Sequence, residues 1–274
     1  MSLPNWISSD RQYESPSGLI ITKKDSIKDL GVYISSDLSF DTHIHTYVKA
    51  TQQIAAWTLR TFHARGKYLL KVLLQSLVVP KIEYASVIWC PFDKKNIDLI
   101  ESIQRRYTSQ MFEYQTWDEE LQMYTCTVNY WERLKDLKIY SLERRRERFL
   151  ILYVYRVLIG LMDFKWFDVF FERGIRVKPK YNAKAPDRVR RIRHRSFFYK
   201  GPQLYNLLPP ELRQLENIDE PNQGHVDAFK KKLDEYLTRI PDQPNVPGLS
   251  RVATTNSLIC QIPLCNKQQQ NRTN

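Results

Sequence analysis

Glycine is scarce, with only 8 in 274 residues. That excludes a glycine-rich phosphate loop as an organising feature. It also argues against a sheet-heavy fold with many tight turns. No Gly-x-Ser-x-Gly and no His-Glu-x-x-His occurs, so nothing flags a hydrolytic nucleophile or a zinc-protease helix. His43 and His45 stand two apart and point in different directions on a helix, so they do not share a metal. Asp118, Glu119 and Glu120 are adjacent acids with no second carboxylate cluster, and they read as a solvated loop. Pro186-Asp187 and Pro241-Asp242 lack the continuation that a restriction-like nuclease needs. There are 4 cysteines, at 90, 126, 260 and 265. Only Cys260 and Cys265 are close, and no Cys or His follows them, so a four-ligand zinc site is not expected. The start of the chain shows no basic-then-apolar signal pattern. The thiols therefore read as reduced and the compartment as intracellular, nucleus or cytoplasm. The longest apolar run, Phe149 to Tyr155, is cut off by Arg148 and Arg156, far short of a membrane span, so no membrane partner is expected.

Core-forming residues are plentiful. Hydrophobic residues make up 42% and aromatics 12%, enough for a sizeable interior and one or two domains. The formal net charge is +12, and its location gives it meaning. Residues 144–200 hold 17 Lys/Arg against 5 Asp/Glu, while the rest of the chain holds 25 of each. Charge focused in one stretch implies a polyanionic partner, where dispersed charge would imply only solubility.

Periodicity predicts a mainly α protein. Residues 1–18 read as loop. Leu19 to Thr22 and Ile27 to Ile34 are β-branched runs separated by Lys23-Lys24-Asp25-Ser26, the pattern of a hairpin. Helices follow from residue 41. Ser39 or Asp41 caps the first, with Ile44, Val48, Thr51, Ala55, Leu59 and Phe62 on one face. A second runs from Lys67 to Val79 with Leu70, Leu73, Leu74 and Leu77 inward, and Pro80 ends or kinks it. Ile82 to Trp89 continues as helix or turn. Asp93 or Asn96 starts a third, striped by Ile97, Ile100, Ile103, Tyr107 and Met111. Trp57, Trp89, Trp117 and Tyr84 read as packing residues rather than base stackers. Residues 113–129 show no clear period and read as loop. Tyr130 to Leu137 forms a short helix, and Ser141 caps a long one that ends near Gly160. Phe164 to Lys184 is a connector, and 187–199 an extended basic strand or arm. Val226, Phe229, Leu233, Tyr236 and Leu237 stripe a last helix. The polar, Gln-rich end predicts disorder over 241–274.

Two basic elements carry the candidate chemistry. On the helix from Ser141, Arg144, Arg145, Arg148 and Arg156 fall on one side. Leu150, Val154, Val157, Leu158 and Leu161 fall opposite, although Leu152 and Ile159 lie among the arginines. A helix so divided can track phosphates while its apolar face holds a bundle. In 188–195, Arg188, Arg190, Arg191, Arg193 and Arg195 are shaped for bidentate phosphate contact. Phe197, Phe198 and Tyr199 follow at once and can stack on bases. The plainer alternative is a solvated charged face with an aromatic core anchor.

The order of several short strings points further. Ile27-Lys28-Asp29-Leu30-Gly31-Val32 is followed by Leu38-Ser39-Phe40, His43-Ile44 and Leu59-Arg60-Thr61-Phe62. Then come Leu77 to Trp89 and Ile100 to Thr108, and later Arg133-Leu134, Arg144-Arg145-Arg146, Leu204 to Pro209 and Phe229-Lys230. In this order and spacing the chain resembles the region after the palm in jockey/CR1-like non-LTR retrotransposon reverse transcriptases, over roughly three-quarters of its length. The resemblance implies a primer-grip-like hairpin in 1–40, a thumb-like helical bundle in 41–112 and a basic C-terminal helical region in 113–240. It implies that Lys28 and Gly31 hold a primer end, and that the partners are RNA or an RNA–DNA hybrid together with a palm encoded upstream. The aromatic-x-Asp-Asp of the catalytic palm is missing, and no two aspartates are adjacent. The chain is thus expected to be inactive alone and to hold no cofactor, magnesium being a ligand of the palm. The competing expectations are a helical scaffold or protein-interaction fragment of a decayed element with no nucleic-acid role, and a hydrolase with an unrecognised site.

Overall fold

A computed structural model of the chain describes residues 13–21, 24–62, 66–112, 115–118, 123–126, 128–162, 171–172, 178–179, 194, 196–213, 220–244 and 256–273. The chain divides into two compact units, Met1–His43 and Ile44–Asn274. It is mainly α, with a β-hairpin ahead of the helices.

The first unit holds two antiparallel pairs. β1 (Tyr13–Glu14) pairs with β2 (Ile20–Ile21), and β3 (Ser26–Asp29) pairs with β4 (Val32–Ser35). The expected hairpin joins the run at 19–22 to the run at 27–34. Instead the second run folds back on itself at Leu30-Gly31. Both turn residues have positive φ, 44° and 85°, as the primed two-residue turn that matches strand twist requires.

The second unit is a helical bundle. α1 (Asp41–Thr61) enters it and buries Ile44, Val48, Thr51 and Ala55. α2 (Lys67–Leu73) runs into a π-helical turn, Leu74–Val78, and then α3 (Val79–Glu83). Pro80 has no N–H to give the preceding turn, and the wider π turn takes up the mismatch. Its extra residue advances the phase of the helix. Val78 is therefore 1% exposed while Leu77, expected inward, is 39% exposed. α4 (Ser86–Trp89) buries Trp89, whose indole N–H donates to the Tyr84 carbonyl at 2.8 Å. α5 (Lys94–Ser109) is capped by Asp93, which accepts from Asn96 N, and buries Ile97, Ile100, Ile103 and Tyr107.

Residues 113–129 contain a hairpin in place of the expected loop: β5 (Gln115–Asp118) pairs with β6 (Met123–Cys126). Four-residue strands carry too little alternation to stand out in sequence. α6 (Tyr130–Leu137) and α7 (Leu142–Leu158) start at the side-chain caps Asn129 and Ser141. β7 (Phe171–Glu172) and β8 (Lys178–Pro179) form a short pair. α8 (Phe197–Asn206) begins at the expected end of the basic arm, and it carries Gly201 and Pro202, residues that hide a helix from propensity rules. α9 (Pro210–Arg213) leads to α10 (Gln223–Leu237), closed at its start by an Asn222–His225 capping box.

The expected disorder over 241–274 is overturned for the residues described. α11 (Leu258–Thr273) is helical and buries Leu258 and Ile262. The main core joins Leu150, Ile151, Val154, Tyr155 and Leu158 of α7 to Leu204 of α8, Phe229 and Leu233 of α10, and Leu258 of α11. Tyr155 stacks on Phe229, with ring centroids 3.9 Å apart and 5° between planes.

Candidate nucleic-acid interface

Lys28 and Gly31 lie on the β3–β4 hairpin. Lys28 pairs in register with Tyr33, and its ammonium stands 5.2 Å over that ring. Gly31 supplies the second positive φ of the turn. Leu30, the first turn residue, is a leucine in the left-handed region and 84% exposed. The turn therefore presents an apolar tip beside an exposed lysine. Behind it, the Tyr33 N–H donates to Nδ1 of the buried His43 at 3.3 Å. Burial, and then the Lys28 charge, push His43 down to about 4, so the imidazole is neutral and can accept.

Arg144, Arg145 and Arg148 of α7 are not a phosphate-tracking face, and this corrects the sequence reading for those three. Arg144 is 0% exposed and donates to the carbonyls of Ile240 and Pro241, at 3.3 and 2.8 Å. Arg145 grips Glu83 of α3 through Nε and through Nη2, the latter at 3.0 Å. Arg148 makes the same fork with Asp234 of α10, Nη2 to Oδ2 at 2.7 Å. Arg156 is half-buried, its guanidinium 5.9 Å from the Tyr153 ring. The physical reason is that α7 is central. Twelve of its residues are buried, on every side, including Leu152 among the arginines. Guanidinium groups at such positions must find internal partners.

Arg188, Arg190, Arg191, Arg193 and Arg195 lie outside the described residues. Phe197 and Tyr199 open α8. Phe197 meets Tyr153 edge-on at 6.3 Å, and Tyr199 lies 4.0 Å from the His194 ring. Phe197 packs against the main core, which corrects its assignment as a base stacker.

What sequence reasoning missed is a polar interior at the head of α7. Glu101 of α5 accepts from the Tyr130 hydroxyl and from the N–H groups of Leu142 and Glu143, at 3.1 and 3.2 Å for the latter two. It serves as a carboxylate cap on the helix N-terminus. Burial raises its pKa, and it pushes Tyr130 up as well. Asp242 accepts from Ser141 N and Oγ at 2.7 and 2.8 Å. Glu147 accepts from Lys200 at 3.2 Å. Several of these acids lie far along the chain from their cations, so spacing carries no signal of them.

Also missed is an exposed mixture of aromatics and cations on α1 to α5. Trp57 is 54% exposed and Tyr68 83%, and Tyr84, Ile88 and Phe92 are exposed too. Lys49, Arg60, Lys81, Lys94 and Lys95 are exposed on or beside the same helices. This corrects the expectation that Trp57 and Tyr84 are packing residues. The signal for Trp57 was available, because it falls off the stripe of Ile44, Val48, Thr51 and Ala55. The side chain of Trp117 lies outside the described residues.

Among the described residues no group of three or more His, Cys, Asp or Glu could hold a metal ion, and no helix is long and apolar enough to cross a membrane. No family model, curated protein or solved structure matches the chain.

Proposed function

We propose that this chain is a nucleic-acid-binding thumb and C-terminal fragment of a non-LTR retrotransposon RNA-directed DNA polymerase, without the catalytic palm. Its ligand is RNA or an RNA–DNA hybrid. The observation that carries the reading is the surface of α1 to α5. Exposed aromatics and exposed lysine and arginine occur on the same run of helices, and these residue types supply both components of strand binding, stacking faces and phosphate partners. The sequence resemblance adds the hairpin with Lys28 and Gly31 at the position of a primer grip. Residues 157–199 add eleven Lys/Arg against four Asp/Glu, and that excess is separate from the internal forks of Arg144, Arg145 and Arg148. With no adjacent aspartates in the sequence, nucleotide addition belongs to a palm on another segment or chain.

One observation favours a second reading, a helical scaffold with no nucleic-acid role. Arg144, Arg145 and Arg148 of α7 are held by partners inside the bundle. A filter-binding titration with an RNA–DNA hybrid decides between the two. The nucleic-acid reading predicts a log–log salt slope of roughly −0.7 to −0.9 per phosphate contact. The scaffold reading predicts weak binding that salt does not change.

A further inference from the structure

The segment entering α11 is seated on buried carboxylates. Asn256 donates from its backbone N–H to Glu143 Oε2 at 3.2 Å, and from Nδ2 to Ser141 Oγ at 2.9 Å and to Asp242 Oδ1. The Ser257 hydroxyl and the Leu258 N–H take the two oxygens of Glu147, at 2.5 and 2.6 Å. Gln261 donates to the Gln243 carbonyl at 2.8 Å. Leu258 and Ile262 then enter the main core. Residues 263–265 are partly covered, and Asn266 and Lys267 are exposed. The polar grip described on this helix lies at its start and in the two residues before it.

Glu143 and Glu147 are one turn apart on α7, both buried, and both face the same incoming segment. The segment brings them amide and hydroxyl donors but no charge. The charged groups around Glu143 are Glu147 and Arg146 on α7, Lys200 on α8 and Glu101 on α5. Lys200 pairs with Glu147 at 3.2 Å, so a negative charge stands one turn from the buried Glu143 and makes its ionisation costlier.

We propose that residues 256–273 form a proton-gated latch, seated on the Glu143–Glu147 pair and released as pH rises toward neutrality. Burial, and then the neighbouring Glu147, raise Glu143 to about 7. Release opens the pair to water, lets Glu143 return toward an ordinary carboxylate value and passes its proton to solvent. The seated state thus holds one more proton than the released state between about 4.5 and 7. Its advantage is complete below that window, declines through it and is lost above it. This latch is independent of the nucleic-acid reading.

The test is hydrogen exchange on the full chain from about pH 5 to 8.5, with each rate divided by the intrinsic rate at that pH. Peptides covering 256–267 are compared with peptides covering 142–158. Protection of 256–267 is expected to fall about tenfold per pH unit up to about pH 7 and then level off, with 142–158 unchanged. In Glu143→Gln, which mimics the protonated acid, protection of 256–267 is expected to be independent of pH. A flat wild-type profile overturns the latch. So does a parallel loss in both segments, or a pH dependence that persists in Glu143→Gln. The wild-type profile decides the matter if that variant does not fold.

Discussion

Arg144 shows what a single residue can and cannot be read to do. Its sequence neighbours, Arg145 and Arg146, suggest a basic surface, but its guanidinium is fully buried against the Ile240 and Pro241 carbonyls, with Asp242 at 3.8 Å. Arg144→Ala is expected to lower stability by about 3–5 kcal/mol, because it leaves buried acceptors and a carboxylate without their cation. Arg60→Ala, at an exposed site, is expected to change stability by less than about 0.5 kcal/mol. Chemical denaturation of the two variants side by side checks the contrast. His43 gives a pH dependence of definite sign. Its folded pKa, about 4, lies below the ordinary 6.5. The neutral imidazole contributes stability above pH 6.5 that is lost as pH falls through 4. Exchange of the Tyr33 amide, corrected for its intrinsic rate, is expected to speed up over that range, and it is expected to lose this dependence in His43→Gln.

At the scale of elements, α7 and α8 approach closely at Gly201. A Cβ on Gly201 would stand 2.9 Å from Val154 Cγ2 and 3.0 Å from Phe197 Cε2. Gly201→Ala is therefore expected to destabilise by about 1–3 kcal/mol through overpacking, despite alanine's better helix propensity. A lower melting temperature by circular dichroism is the expected result, and an unchanged or higher one contradicts the close approach. Long helices with side-chain caps were legible in the sequence. Asp93 and Ser141 announced α5 and α7, and the stripe on α5 holds in the structure. What was hidden depended on partners distant in sequence. α11 reads as a polar tail because the carboxylates that seat it, Glu143 and Glu147, are more than a hundred residues earlier. The π turn before Pro80 shifted the phase by one residue and exchanged Leu77 for Val78. The candidate interface was half legible. The focusing of charge was visible, but composition cannot tell a guanidinium that meets solvent from one forked onto Glu83 or Asp234.

For the whole molecule, these internal pairings divide the excess charge into two parts. One part, on α7 and at Lys200, holds the bundle through Glu83, Glu147 and Asp234. The Lys and Arg residues from Lys165 to Arg195 lie beyond these pairings in the sequence, and the proposed function assigns them, with the exposed cations of α1 to α5, to the polyanion. The purified chain is expected to incorporate no nucleotide on a primed RNA template with magnesium. Template-dependent incorporation would contradict the account, because the sequence has no aromatic-x-Asp-Asp. The most direct measurement is a hybrid-binding salt titration of Arg190→Ser/Arg191→Ser/Arg193→Ser/Arg195→Ser beside the wild type, with thermal melting of the same samples. The account predicts an unchanged melting temperature and a salt slope shallower by about one unit for each phosphate the variant no longer engages. A variant that melts lower while its salt slope stays at the wild-type value would contradict it, and would make these arginines part of the scaffold.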